Sequence, residues 1–141
     1  MKIVLDTNVL VSGLLTPFGS SGEIVRMVSS GHLVLCYDAR ILSEYRDVLF
    51  RPRFQFNKEH IALLLEYIQH VGQVHSSRPL PNPLPDRDDE PFLEVAIGGK
   101  ADCLITGNHA HFPPHRLEGV KVFSPTNFLK YYRESKNDTE Q

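Results

Sequence analysis

Short, nearly continuous apolar runs alternate along this chain with segments of helical periodicity, and that alternation restricts the fold more than any other feature. KIVLD (2–6), LVLCY (33–37), QVHS (73–76), CLIT (103–106) and VKVFS (120–124) read as strands. The first, second and fourth lack polar–apolar alternation, as parallel strands do when both faces are covered. Helical patterns lie between them. SSGEIVRMVSSG (20–31) opens on a Ser20-x-x-Glu23 capping box and stops at Gly31. Asp38 is the expected N-cap of a helix over 38–50. A helix over 57–72 carries Ile61, Leu64, Leu65 and Ile68 on one face and ends at Gly72. Another over 88–99 has Pro91 near its first turn, where a missing N–H costs little. A short helix over 125–132 precedes the polar stretch RESKNDTEQ, which is expected to fray.

Strands alternating with helices imply a parallel sheet of about five strands with helices on both faces. A chain of 141 residues, 41% hydrophobic, suits one domain, which we place at 1–133, with a polar, disordered tail at 134–141. Four prolines in SRPLPNPLPD (77–86) would suit a linker, but too little chain follows for a second domain. That stretch reads instead as a stiff surface crossing. The formal charge is −2, with 15 Lys plus Arg against 17 Asp plus Glu. This is no global nucleic-acid footprint, so positive charge at such a site would come from a local patch or a bound metal. Cys36 and Cys103 each sit in an apolar run and read as buried free thiols, which suits a reducing cytoplasm. The first apolar run is too short for a secretory signal, and nothing approaches the roughly 20 apolar residues of a membrane span.

In open parallel sheets, ligands bind outside the carboxyl ends of the strands. Asp6 ends the first strand there, and Asn8 follows two residues later. Glu44, three residues after Ile41 and four before Val48, points with the apolar stripe of its helix. It needs a partner, a proton or a metal. A pairing with Arg40 at the stripe's edge is the structural alternative. DRDDEPFLE (86–94) holds five acids in nine residues, more than opposing a helix dipole requires. Thr106 and Asn108, in ITGNHAHF (105–112), lie past another strand. Separate segments would thus deliver Asp6 with Asn8, Asp88 or Asp89, and Thr106 with Asn108, with Glu44 added from a helix. Such oxygen donors suit a hard cation, Mg²⁺ or Mn²⁺.

VLDTNVLVSGL, LSEYRDVL, DRDDEPFLEVA, and ADCLITGN followed by HFP, in this order and spacing, resemble the PIN domain. They are most similar to the PIN domains that are toxins of toxin–antitoxin pairs, the VapC-like ribonucleases. The resemblance covers nearly the whole chain. It implies a three-layer α/β/α sandwich around a parallel sheet, and metal-dependent cleavage of RNA, usually single-stranded. The family's first acid falls on Asp6 with its companion Asn8, the second on Glu44, and the third on Asp89, with Asp88 and Asp86 as close alternates. Many PIN domains carry a further acid where this chain has Asn108. An amide adds no negative charge, so the site would hold metal less tightly; Glu94 is a candidate to compensate. The resemblance also implies a small antitoxin as partner and a homodimer.

The mechanism expected of these residues is hydrolysis by metal-activated water, with Asp6, Glu44 and Asp89 as ligands. The family implies products with 5′-phosphate and 3′-hydroxyl ends. Arg51 and Arg53 beside Phe50, Phe54 and Phe56, and Lys58 beyond, are candidates to contact RNA. The structural alternative is a helix end with core aromatics. His109, His111 and His115 raise the question of zinc, but with no Cys or acid beside them and two prolines in the loop they read as polar loop histidines or weak RNA contacts. A haloacid-dehalogenase-type phosphatase also begins with an Asp at a strand end, but it wants a second Asp where Asn8 stands. A non-enzymatic alternative is a PIN-like RNA-binding or interaction module, with Asn108 as the reason for weak or absent turnover.

Overall fold

The computed structural model describes residues 1–140. Five strands, β1 (Lys2–Leu5), β2 (Val34–Tyr37), β3 (Gln73–Val74), β4 (Cys103–Ile105) and β5 (Val122–Phe123), form one sheet of order β3-β2-β1-β4-β5. Every pairing is parallel. Ile3 pairs with Leu35 on one side and with Cys103 on the other. Among the described residues six α-helices flank the sheet: α1 (Thr7–Leu15), α2 (Ser20–Ser29), α3 (Ala39–Leu49), α4 (Lys58–Val71), α5 (Glu90–Gly98) and α6 (Pro125–Glu140). α2 packs on α1 and α6, while α3 packs on α4 and α5. The last three residues of β1 and β2, and all of β4, are buried, which explains their unbroken apolar runs. The expected α/β sandwich around a parallel sheet is therefore the observed fold.

The strand order creates the site. From β1 the chain winds outward through β2 to β3, then returns to the other side of β1 for β4 and β5. The winding reverses between β1 and β4, the point where open α/β sheets leave a crevice at the strands' carboxyl ends.

α1 was not anticipated by the periodicity. It follows β1 directly, and Thr7, Val9, Leu10, Val11 and Gly13 are all buried. A helix so nearly apolar all round has no stripe to betray it. Gly13 allows α2 to lie close: a Cβ there would stand 2.5 Å from Val25 Cγ2 and 2.8 Å from the Ser21 carbonyl oxygen.

The expected caps divide. Asp38 accepts from the Ile41 N–H at 3.0 Å, and Asn57 accepts from Glu59 and His60. The Ser20–Glu23 box does not form. Gly19 flanks α2 without a side-chain bond, Ser20 Oγ lies 3.1 Å from Thr126 Oγ1, and Glu23 pairs with Arg133 at 3.0 Å. Both side chains thus tie α2 to α6. This pairing, with Phe128 packed against Tyr132 and Lys136 over the Tyr132 ring, accompanies α6 beyond its expected end. The stretch expected as a frayed tail is helical from Glu134 to Glu140, and Gln141 lies outside the described residues.

The proline-rich crossing is pinned from α5: Glu90 accepts from the Leu84 N–H at 2.9 Å and Glu94 from the Leu80 N–H at 3.1 Å. Cys36 and Cys103 are free and buried, and burial pushes the Cys103 thiol up to about 12. Among the described residues no helix is long and apolar enough to cross a membrane.

Candidate active site

β1 and β4 run side by side, so the residues that follow them meet. The Asp6 N–H donates to the Ile105 carbonyl at 3.0 Å, extending the ladder by one step. Thr106, fully buried, then donates its hydroxyl to Asp6 Oδ2 at 2.7 Å. Asp6 is only 6% exposed. Burial pushes its pKa above the usual carboxylate value, against the Thr106 hydroxyl and the backbone N–H groups of Asn8 and Thr7, which favour the anion. The Asn8 contact with Asp6 is through its backbone N–H, and the residue is exposed.

Glu44 reaches the same place from α3. The Thr7 hydroxyl donates to Glu44 Oε2. The adjacent Tyr45 is fully buried, and its hydroxyl donates to the Leu5 carbonyl at 2.5 Å. These two bonds fasten α3 to the end of β1. Burial raises the Glu44 pKa, the Thr7 bond opposes this, and the charges of Asp6 and Asp88 add to the rise. Arg40 does not pair with Glu44 but with Asp38 and Glu94, both at 2.7 Å.

Asp89 closes a 3₁₀ turn over Arg87–Asp89 that leads into α5. Asp86 caps this turn by accepting from the Asp88 N–H at 2.9 Å. Asp89 is buried, and its pKa is pushed up to about 6, first by burial, with further repulsion from Asp6 and Asp86 and opposition from His111. His111 Nδ1 stands 2.8 Å from Asp89 Oδ2. The two form an ion pair, and apart from His111 the buried Oδ2 has no hydrogen-bond donor. Asp86, Asp89 and His111 present ligand atoms all within 4.8 Å of one another. Asn108 completes the arrangement: its N–H donates to Thr106 Oγ1 at 3.1 Å, and its amide Nδ2 lies 2.8 Å from His111 Nε2.

Asp6, Glu44, Asp89, Thr106 and Asn108 are therefore linked by direct contacts or by mutual charge effects. Asp88 is exposed at the rim. Glu94 does not compensate for Asn108: one carboxylate oxygen is taken by Arg40 and the other by the Leu80 N–H, so it holds the proline-rich crossing. Of the basic candidates, Arg51 pairs with Asp47 at 3.0 Å, Arg53 lies 4.7 Å from the Phe54 ring centroid, and Lys58 is exposed at the start of α4. Phe54 stacks on Phe56 at 5.5 Å, and both pack partly against the core. His111 is the residue that pattern reading left out of the site. Its acids lie beside it in space and not in sequence, while His109 and His115 are exposed loop residues as expected.

This donor set fits a divalent cation. Several carboxylates with raised pKa values crowd one another, and a buried oxygen of Asp89 has no donor apart from His111; a cation relieves both.

The PIN domain matches residues 2–110 of the chain. The chain belongs to the PIN-domain family. An uncharacterized protein of Methanocaldococcus jannaschii is 30% identical over 111 residues, covering 77% of this chain and 71% of that protein. The fold of this PIN domain is like that of VapBC2 from Rickettsia felis, solved bound to a DNA fragment from its promoter, with a TM-score of 0.57 at 14% identity. It is also like that of FitAcB from Neisseria gonorrhoeae, with a TM-score of 0.56 at 17% identity. Each likeness covers 88% of this chain and 98% of the other.

Proposed function

We propose that this PIN domain is a metal-dependent endoribonuclease that cleaves single-stranded RNA, and that it is the toxin of a toxin–antitoxin pair. The observation that carries the reading is the gathering of acids past the ends of β1 and β4, where the charge of Asp6 acts on both Glu44 and Asp89 and Asp89 lies within 4.8 Å of Asp86 and His111. Family membership supports nuclease chemistry, and the likeness to VapBC2 and FitAcB supports a small antitoxin as partner. Assembly as a homodimer belongs to the same reading.

Asp6, Glu44 and Asp89 would hold Mg²⁺ or Mn²⁺, with Asp88 at the rim; the bound cation supplies a water acidic enough to ionise near neutral pH and positive charge for the phosphate oxygens. The chain's own contribution is position. Thr106 fixes the Asp6 carboxylate, and Thr7 with Tyr45 fixes Glu44. Groups held in place before substrate arrives need no reorganisation during reaction. Burial of Asp6 and Asp89 keeps bulk water from screening their charge.

The test is incubation of purified protein with end-labelled single-stranded RNA, with Mn²⁺, Mg²⁺ or chelator, beside Asp6→Asn. Metal-dependent cleavage that disappears in the folded variant supports the reading. Cleavage by the variant at the wild-type rate would sink the assignment of Asp6. No cleavage by folded, antitoxin-free protein under either metal would favour the RNA-binding module instead.

A further inference from the structure

We propose that His111 is a nitrogen ligand of the cation and that Asn108 sets the imidazole tautomer that makes it one. The inference rests on the metal-dependent reading above and extends it to the type of metal preferred.

Three observations carry it. The first is the close approach of Asp89 Oδ2 and His111 Nδ1, 2.8 Å apart, with no other donor on that buried oxygen. Two ligands about 2.1 Å from one ion and roughly at right angles lie about 3 Å apart, with lone pairs aimed at the ion and not at each other. The second is the nearby Asp86 carboxylate, within 4.8 Å of both. The third is Asn108. Its amide touches His111 Nε2, the ring nitrogen turned away from Asp89. A metal-ligating imidazole donates its other N–H to an outer acceptor, which fixes the tautomer and the ring's orientation. An amide offers either a donor or an acceptor by a half-turn of its end, and the two orientations are assigned from their partners. With Nδ2 toward Nε2, the ring proton sits on Nδ1, facing Asp89. With Oδ1 toward Nε2–H, the Nδ1 lone pair is free for a cation. A carboxylate at 108 could only accept. Asn108 thus serves the metal-free and the metal-bound forms of His111 alike, which gives a role to the amide that stands where many relatives have an acid.

An imidazole nitrogen among carboxylates shifts preference away from Mg²⁺, which favours all-oxygen surroundings, toward Mn²⁺ and later transition metals. The His111 side chain is 40% exposed, so its replacement should leave the fold intact.

The test uses the full chain loaded with Mn²⁺. Pulsed electron paramagnetic resonance should show ¹⁴N coupling to the ion in the wild type and none in His111→Gln. Calorimetry should show Mn²⁺ affinity reduced about tenfold or more in His111→Gln, with a smaller change for Mg²⁺, and reduced in Asn108→Leu, with thermal melts confirming that both variants fold. Mn²⁺ bound with equal affinity in wild type and His111→Gln, with no nitrogen coupling, would overturn the proposal and leave the carboxylate-based nuclease reading standing. Absence of Mn²⁺ binding to the folded wild type would overturn both.

Discussion

Asp89 is where burial and charge oppose each other most directly. Its carboxyl is pushed up to about 6 from an ordinary 3.8, so the folded state favours the protonated form. Linkage then fixes the sign. The stabilising contribution is fully present below the unfolded value and is lost as pH rises through about 6. Asp6 and Glu44 are shifted in the same direction and add to the slope. In chelator the protein should therefore melt at lower temperature at pH 7 than at pH 5, and Asp89→Asn should flatten that difference. A divalent cation should reverse the loss at pH 7 and do little at pH 5, where Asp89 must first shed its proton. Thermal melts at the two pH values, with and without Mn²⁺, check this. A chelated wild type whose melting temperature rises from pH 5 to pH 7 would contradict the burial argument.

At the scale of elements, the site depends on how α3 is fastened at the end of β1, by the Thr7–Glu44 bond and by a second bond buried below it. Tyr45 makes the buried one, from its hydroxyl to the Leu5 carbonyl. Tyr45→Phe removes the donor and leaves that carbonyl short of a partner, at a cost of about 1–2 kcal/mol. Urea unfolding should show that loss with an unchanged slope, and calorimetry should show weaker Mn²⁺ binding because Glu44 is less firmly held. Full Mn²⁺ affinity in this variant would mean that the Thr7–Glu44 bond suffices alone. The same elements show what a sequence discloses. β1, β2 and β4 were legible because burial on both faces leaves continuous apolar runs, and Asp38 and Asn57 because their caps are local. α1 was hidden because it lacks a polar face. The extent of α6 and the true partners of Ser20 and Glu23 are contacts across more than a hundred residues, beyond any local pattern. Asp6 and Thr106 could be picked out by their places at strand ends and Glu44 by its place on an apolar stripe, while the acidic run left Asp88 or Asp89 open and only the family resemblance singled out Asp89. His111 could not, since only the folded chain sets it against Asp89.

The whole molecule is slightly acidic, yet its proposed substrate is a polyanion whose binding is governed by charge. Acids gather where cleavage would occur, so attraction must come from the cation and from basic groups nearby. The turn over Pro52–Phe54 follows α3, the helix that carries Glu44, and Arg51 beside it is close enough to act on the Glu44 charge. Arg51 is partly neutralised by Asp47. Arg53, over the Phe54 ring, and Lys58, at the start of α4, are exposed and remain available to phosphates. Replacing both with Ala in the Asp6→Asn background should weaken single-stranded RNA binding to a similar degree for every sequence, because phosphate contacts carry no base information. If each residue neutralises one phosphate, the slope of log affinity against log salt should become shallower by about 1.4, at roughly 0.7 per contact on a single strand. Fluorescence titrations over a range of salt concentrations read that slope directly. A parallel downward shift with an unchanged slope would point to lost stacking at Phe54 in place of lost charge. No change at all would remove this turn from the RNA path, leaving the rim around Asp88 and Arg87 as the place to search next.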